Sequence, residues 1–388
     1  MKRVKVAVAL LGISTSLMAI QAEQAYLYKD SRVMGMGGVD IAVGTYSTSI
    51  FSNPASLARI HKNKGFVIDL VGLGISATTD IVEFSDAIND AGDSEQELAD
   101  VLKEYSGDNF HIGLDNYSSI SKHSDAFAWS IGILAVSDVS IMAHSNGTTS
   151  GDFIETTSRV YAGVVAGVAK PFYTGIGRLD FGLGIKYISQ TSYEGTVGVY
   201  DYTSQDDFIE QYEKKASGFG FDAGLTYHIY NSSSLHMAFG ASLMNIGLEM
   251  DDNYGHQPMT LNFGLSASTR FSFIKKLTMA LDFVDALGAN QYREYTTTQN
   301  GSSTVYKDSD SYDFMKNIRL GAKIRLADSD AFLSDINLGI YQSAYTAGLD
   351  MRLAAFCMSL STYQEEVGMN EYTSNTDRRY MASMGISW

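Results

Sequence analysis

Apolar residues recur at every second position in one short stretch after another. In "GRLDFGLGIKYI", Leu179, Phe181, Leu183, Ile185 and Tyr187 share one face, while Asp180, Gly182, Gly184 and Lys186 share the other. "NIRLGAKIRL" sets Ile318, Leu320, Ala322, Ile324 and Leu326 against Arg319, Gly321, Lys323 and Arg325. "TLNFGLSASTRF" opposes Leu261, Phe263 and Leu265 to Asn262, Gly264, Ser266, Ser268 and Arg270, and "GFGFDAGLTYHI" opposes Phe219 and Phe221 to Asp222 and Gly224. A period of two marks a strand with two unlike faces. Fourteen such segments can be placed, near 66–77, 109–118, 125–137, 158–172, 177–195, 217–230, 235–246, 260–271, 276–284, 316–326, 334–341, 345–352, 356–364 and 378–388.

A soluble sandwich alternates too, so the chemistry of the faces and the spacing must decide. The second face is mostly Gly, Ser and Asn with a few charges, as suits a lumen. Strands of roughly ten residues cross a bilayer when tilted. The gaps mostly alternate between long (78–108, 138–157, 196–216, 247–259, 285–315, 365–377) and short (119–124, 173–176, 231–234, 272–275, 327–333, 353–355). Only 342–344 is short where a long loop is expected. Short periplasmic turns and long outer loops characterise outer-membrane barrels. Exchanging the faces would put Lys186, Arg270, Arg319 and Lys323 into lipid, at about 2–4 kcal/mol each near the midplane. The expected fold is all-β: a transmembrane antiparallel β-barrel of about 14 strands over residues 65–388, with both termini in the periplasm.

The first 22 residues read differently. Lys2, Arg3 and Lys5 precede the apolar run "VAVALLGISTSLMAI", and "IQA" ends at Ala22. This is the pattern of a cleaved signal peptide, which places the mature chain in the outer membrane of a Gram-negative bacterium. Cleavage would remove three basic residues and deepen the net charge from −16 to −19. Such acidity disfavours a nucleic-acid partner. The single cysteine, Cys357, excludes an internal disulfide and a CxxC redox pair.

The loop 78–108 is acidic, and its "SEQELADVLKEY" places Leu98, Val101, Leu102 and Tyr105 at helical spacing. The expectation is a short amphipathic helix over the barrel mouth. The seven histidines are scattered, with no obvious serine nucleophile, and no HExxH or calcium loop appears. No catalytic residue, metal or cofactor is expected. Gly35, Gly37 and Gly38 superficially suggest a phosphate loop, but no strand–glycine–helix unit follows. Asp180, Lys186, Asp222, Arg270, Arg319, Lys323 and Arg325, with Asp282, Asp350, Arg352 and Arg379, should point inward. They form either an ion-pair network holding a plug or contacts to a substrate carboxylate.

"SRVMGMGG" followed by "SNPASLA" resembles the N-terminal signature of FadL-like outer-membrane proteins, and within them the TraF-like family, the F plasmid transfer operon protein. "LGIYQSAYTAGLDMRLAAFCMSLSTYQEEVG" (338–368) and "DRRYMASMGISW" carry the more specific part of the likeness, and the middle of the chain matches only in pattern. The resemblance implies that residues 23–64 fold inside the barrel as a plug, with Gly35, Gly37, Gly38, Asn53, Pro54 and Ala55 in its gating elements. It implies passage of hydrophobic small molecules such as long-chain fatty acids. A docking role in a conjugation or secretion complex is the alternative. Tyr380, Met384, Ile386 and Trp388 end the chain as a lipid-facing row that resembles the signal read by the barrel assembly machinery.

Overall fold

The computed structural model describes residues 27–60, 65–92, 94–124, 126–145, 153–198, 213–230, 235–248, 250, 257–271, 274–289, 292–298, 301–307, 314–329, 331–366 and 376–388. Residues 1–22, expected from the sequence to be a signal peptide, lie outside them. Strands β1 (Gly65–Thr78), β2 (Asn109–His123), β3 (Ala128–His144), β4 (Phe153–Thr174), β5 (Gly177–Gly198), β6 (Lys214–Tyr230), β7 (Leu235–Ile246), β8 (Thr260–Thr269) and β9 (Lys276–Phe283) pair in sequence. β12 (Ile318–Asp328), β13 (Phe332–Tyr341), β14 (Ala344–Leu353), β15 (Phe356–Glu366) and β16 (Thr376–Ser387) continue the sheet, and β16 returns to β1. All pairs are antiparallel, so the 14 strands close without an edge. A closed sheet is the only strand arrangement that satisfies every backbone group in hydrocarbon. β10 (Tyr292–Thr298) and β11 (Gly301–Lys307) form a separate hairpin in the connection from β9 to β12.

The outer face carries an apolar band. Phe181, Leu183, Ile185, Leu265, Leu281, Leu338 and Leu360 are all exposed. At the short-turn end it closes on a ring of aromatic residues, Phe66, Phe172, Phe271, Phe332, Phe356 and Trp388. Such girdles sit where hydrocarbon meets headgroups. The short gap at 342–344 is a two-residue hairpin. Gln342 and Ser343 both have positive φ (47° and 65°), and Tyr341 pairs with Ala344 across them.

Strand β1 breaks its alternation once. Asp69 pairs with Ser387 and Leu70 with Ile386, but Leu73 pairs with Met384, so Val71 and Gly72 oppose Gly385 alone. This bulge puts Leu70 and Val71 consecutively outward and returns Gly74, Ser76 and Thr78 to the lumen. Val71 takes φ +54°, an unusual conformation for a β-branched residue.

The acidic loop holds two helices, α2 (Ile81–Ala91) and α3 (Glu95–Glu104), besides the five-residue helix α1 (Ser31–Gly35) of the N-terminal segment. Ser94 caps α3 by accepting from the Glu97 N–H. Ile81, Phe84, Ile88 and Leu102 pack on Phe110, Val139, Ile141 and Ala143. By strand parity, these four wall residues face outward. The helical pair therefore lies against the outside of the wall at the long-loop rim, and not over the mouth as expected. The outward apolar row of β2 and β3 runs past the band, and the helices cover the excess.

Candidate functional site

Residues 27–60 occupy the lumen. Met34, Met36, Val39, Ile41, Ile50 and Leu57 are each no more than 2% exposed. Asn53 caps a 3-10 turn over Pro54–Arg59, accepting from the Ala55 N–H at 3.0 Å. Its amide donates to the Ile41 carbonyl (2.8 Å), the Leu225 carbonyl (3.1 Å) and Thr226 Oγ1 (3.2 Å). Both its amide nitrogen and its carbonyl oxygen thus have protein partners, and the plug is tied to β6.

Glycines on the wall form the seat. A Cβ added at Gly224 would lie 2.0 Å from Asn53 Oδ1, and one at Gly182 2.3 Å from Ala55 N. Equivalent atoms at Gly321 and Gly339 would lie 2.2 Å from the Met36 carbonyl and 2.5 Å from Gly37 N. Gly35 meets Gly348 backbone to backbone, and Gly240 lies under Ile41. Gly37 and Gly38 have φ near +75°, and a Cβ on Gly37 would strike the Leu320 carbonyl at 2.1 Å. The lumen-facing glycines are thus not merely polar filler. They let the plug backbone touch the wall directly.

Charges complete part of the attachment. Lys29 pairs with Glu365, Lys323 donates to the Tyr46 hydroxyl at 2.6 Å, and Arg59 lies 4.0 Å from Asp180. Asp180 also receives Arg178 (2.6 and 2.9 Å) and His228 (3.0 Å), and Arg178 donates to the Ala58 carbonyl. Asp282 Oδ2 accepts from the N–H groups of Asp40 (2.7 Å) and Ile41 (3.0 Å). Buried Arg319 stacks on Tyr341 beneath Gly38. Other charges pair within the wall: Lys186 with Asp222 (2.8 Å), Arg325 with Asp335 (2.8 Å), and Arg379 with Glu365 and Asp377. Arg270 does not join either set. β8 stops at Thr269, and the side chain is exposed in the turn beyond it.

Two plug carboxylates behave differently. Burial alone would raise Asp30, but the Arg32 guanidinium and the Thr48 hydroxyl hold it below the usual range. Burial pushes Asp40 up to about 7, against a Ser49 hydrogen bond that lowers it and with Asp30 and Asp282 adding to the rise.

Between the plug and the short-turn ends of β12–β16 lies a cavity of about 300 Å³. Tyr28, Arg32, Tyr46 and Ile60 face it from the plug; Leu333, Arg352, Cys357 and Gly385 face it from the wall. Its lining is mixed, with arginines beside aromatic and aliphatic groups. The buried Nε of Arg352 has no hydrogen-bond partner. The cavity reaches Leu70, Gly72 and Gly385, so at the β1 bulge only backbone separates it from the outer face. Arg32, Tyr28 and Tyr46 were not singled out in the sequence; cationic and aromatic residues inside an otherwise apolar plug are the signal that could have found them.

The barrel closure and internal plug define a FadL-like barrel fold. The P. putida toluene transporter TodX superposes with a TM-score of 0.54 at 10% identity, covering 96% of this chain and 99% of that one. The Ralstonia pickettii toluene transporter TbuX gives 0.55 at 11%, covering 92% and 96%. A TodX deltaS2S3 mutant, a monoaromatic hydrocarbon channel, gives 0.58 at 12%, covering 92% and 98%. No curated protein sequence matches the chain. A family model described as "F plasmid transfer operon, TraF, protein" matches residues 50–247, and the chain belongs to that family. The matched region takes in the "SNPASLA" stretch and the middle of the chain, where the sequence resembled the family in pattern alone, and leaves out the C-terminal segment.

Proposed function

We propose that the protein is an outer-membrane channel for small hydrophobic or amphiphilic molecules, exported by cleavage after Ala22, with the short-turn end in the periplasm. The observation that carries this reading is the cavity of about 300 Å³ between a seated plug and a thinned wall. That volume suits a small organic ligand. The monoaromatic compounds named for the similar channels are of this size, and a longer acyl chain could extend past Gly385 through the β1–β16 seam. Arg352 offers one polar anchor. The route leaves the plug in place and passes beside it. Arg352 and Arg270 apart, the charges named from the sequence act in this reading as plug and wall fastenings rather than as a substrate clamp.

Gly385 is the residue to test. A Cβ there meets the backbone of Leu70, Val71 and Gly72 at 3.4–3.5 Å, ordinary contact, and Gly385 lines the cavity. Uptake of labelled toluene and fatty acids would be compared in cells carrying wild type, Gly385→Leu or no gene. The expected outcome is uptake above the no-gene level for wild type and loss of that excess for Gly385→Leu, with unchanged heat-modifiable gel mobility. Equal uptake in all three strains across both substrate classes would sink the channel reading. The family description favours one second reading, a docking component of a transfer or secretion system. Its test is mating or secretion efficiency in the deletion strain with uptake intact.

A further inference from the structure

The upper lumen holds a side-chain cluster that the channel reading leaves unused. Ser76 on β1, Gly113 on β2, Asp138 on β3 and Arg159 on β4 are successive ladder partners in one row of the lumen face. His111 lies one step above, paired with Ser140. Gly113 leaves a gap in the row, and the imidazole fills it. His111 Nε2 stands 2.9 Å from Ser76 Oγ, and Nδ1 stands 3.4 Å from Asp138 Oδ1 and 3.1 Å from Ser140 Oγ. A Cβ on Gly113 would lie 2.4 Å from Ser76 Oγ, so the contact exists because residue 113 has no side chain. Beside the pair opens a cavity of about 50 Å³, also lined by Lys29, Arg159 and Tyr161.

A hydroxyl, an imidazole and a carboxylate in this order form a nucleophile, its base and the group that orients the base. Triad distances in ligand-free sites are often loose, as the 3.4 Å contact is here. We propose that Ser76 is an activated nucleophile that takes short acyl groups from small esters. Its Oγ attacks the ester carbonyl carbon while His111 Nε2 accepts the Oγ proton. The ester C–O bond breaks, and the leaving alkoxide takes that proton from His111 and departs as an alcohol. A water molecule, giving a proton to Nε2, then attacks the acyl-serine. The carboxylic acid leaves, and the proton returns to Ser76. Asp138 stabilises the imidazolium in both halves. Lys29 and Arg159 supply positive charge for the tetrahedral oxyanion. A cavity of about 50 Å³ has room for a few waters and restricts the acyl group to about two or three carbons. This chemistry is independent of transport.

The test uses the full-length barrel folded in detergent micelles, with p-nitrophenyl acetate as the probe. Peptide mapping after a brief exposure should find an acetyl group on Ser76. Hydrolysis should fall about 100-fold in Ser76→Ala and His111→Gln, on the scale of losing a positioned base, and remain in Ser121→Ala, whose hydroxyl bonds Ser130 outside the cluster. Heat-modifiable mobility checks that each variant is folded. Absence of acetyl-Ser76 in the wild type overturns the proposal without reference to any variant. So does a folded His111→Gln that acetylates at the wild-type rate.

Discussion

Around Gly182 the plug backbone and the wall touch with no side chain between them, whereas around Gly385 they stand apart across a cavity of about 300 Å³. Both places are built with glycine, to opposite ends. On β4–β8 and the upper parts of β12–β14, missing side chains let the plug approach the wall backbone and interlock with it. At Gly385 the missing side chain leaves the wall thin beside an empty space. A plug attached by its own backbone along one sector is costly to remove. A channel with that arrangement is expected to conduct along the other sector. The two regions therefore predict opposite responses to substitution.

The largest expected effect is at the seat. Gly37→Val would force a left-handed φ on a β-branched side chain and drive its Cβ toward the Leu320 carbonyl. Strain and overlap together cost about 3 kcal/mol or more. The outcome is loss of the heat-modifiable form, or a large fall in denaturation midpoint. Gly175→Ala is the control, since nothing lies within 4 Å of a Cβ there, and its midpoint should not move. If Gly37→Val folds normally, the seat is not what holds the plug.

A smaller effect sharpens the same region. Asp40 has its carboxyl raised from 3.8 to about 7 by burial, with Asp282 and Asp30 close and Arg59 opposing them. A folded-state value above the unfolded one means the neutral carboxyl is the form the seat accommodates. Its stabilisation is complete below pH 4 and is lost as pH rises through 7. Between pH 5 and 7 the loss is about 2 kcal/mol at about 1.4 kcal/mol per pH unit. Guanidinium midpoints at the two pH values should differ in wild type and differ less in Asp40→Asn. A slope that survives the substitution undiminished would place the titration elsewhere.

The barrel was legible because its period of two is written in every strand, and the observed strand ends mostly fall within a few residues of those read from the pattern. The bulge was legible in principle: in "VIDLVGLGIS" the lumen parity runs Val67, Asp69, then Gly72, Gly74, Ser76. What stayed hidden depends on register. Gly182, Gly224 and Gly321 read as a polar face, because a glycine's partner across the lumen has no local signature. Arg270 followed the parity of its strand, yet the strand ends one residue before it. The one helix expected, within 94–105, was drawn over the mouth because Val139, Ile141 and Ala143, the outward row the helical pair covers, had been counted as loop; the helix Ile81–Ala91 was not anticipated. Ser76, His111 and Asp138 come from three strands and meet only once the ladders are aligned.

The smallest expected effect is the most informative for the contrast between the two regions. Ser31 on the plug and Ser361 on β15 bring their hydroxyl oxygens within 2.9 Å of each other, deep in the lumen. Replacing both with cysteine, in a Cys357→Ser background, would allow a disulfide to fix the plug to the wall. If molecules pass beside a stationary plug, oxidised and reduced forms should take up labelled toluene at the same rate. If the plug must leave its seat, uptake should collapse on oxidation and return with reductant. The same pair combined with Gly385→Leu separates the two sectors fully, since the block at Gly385 should then persist whatever the state of the disulfide.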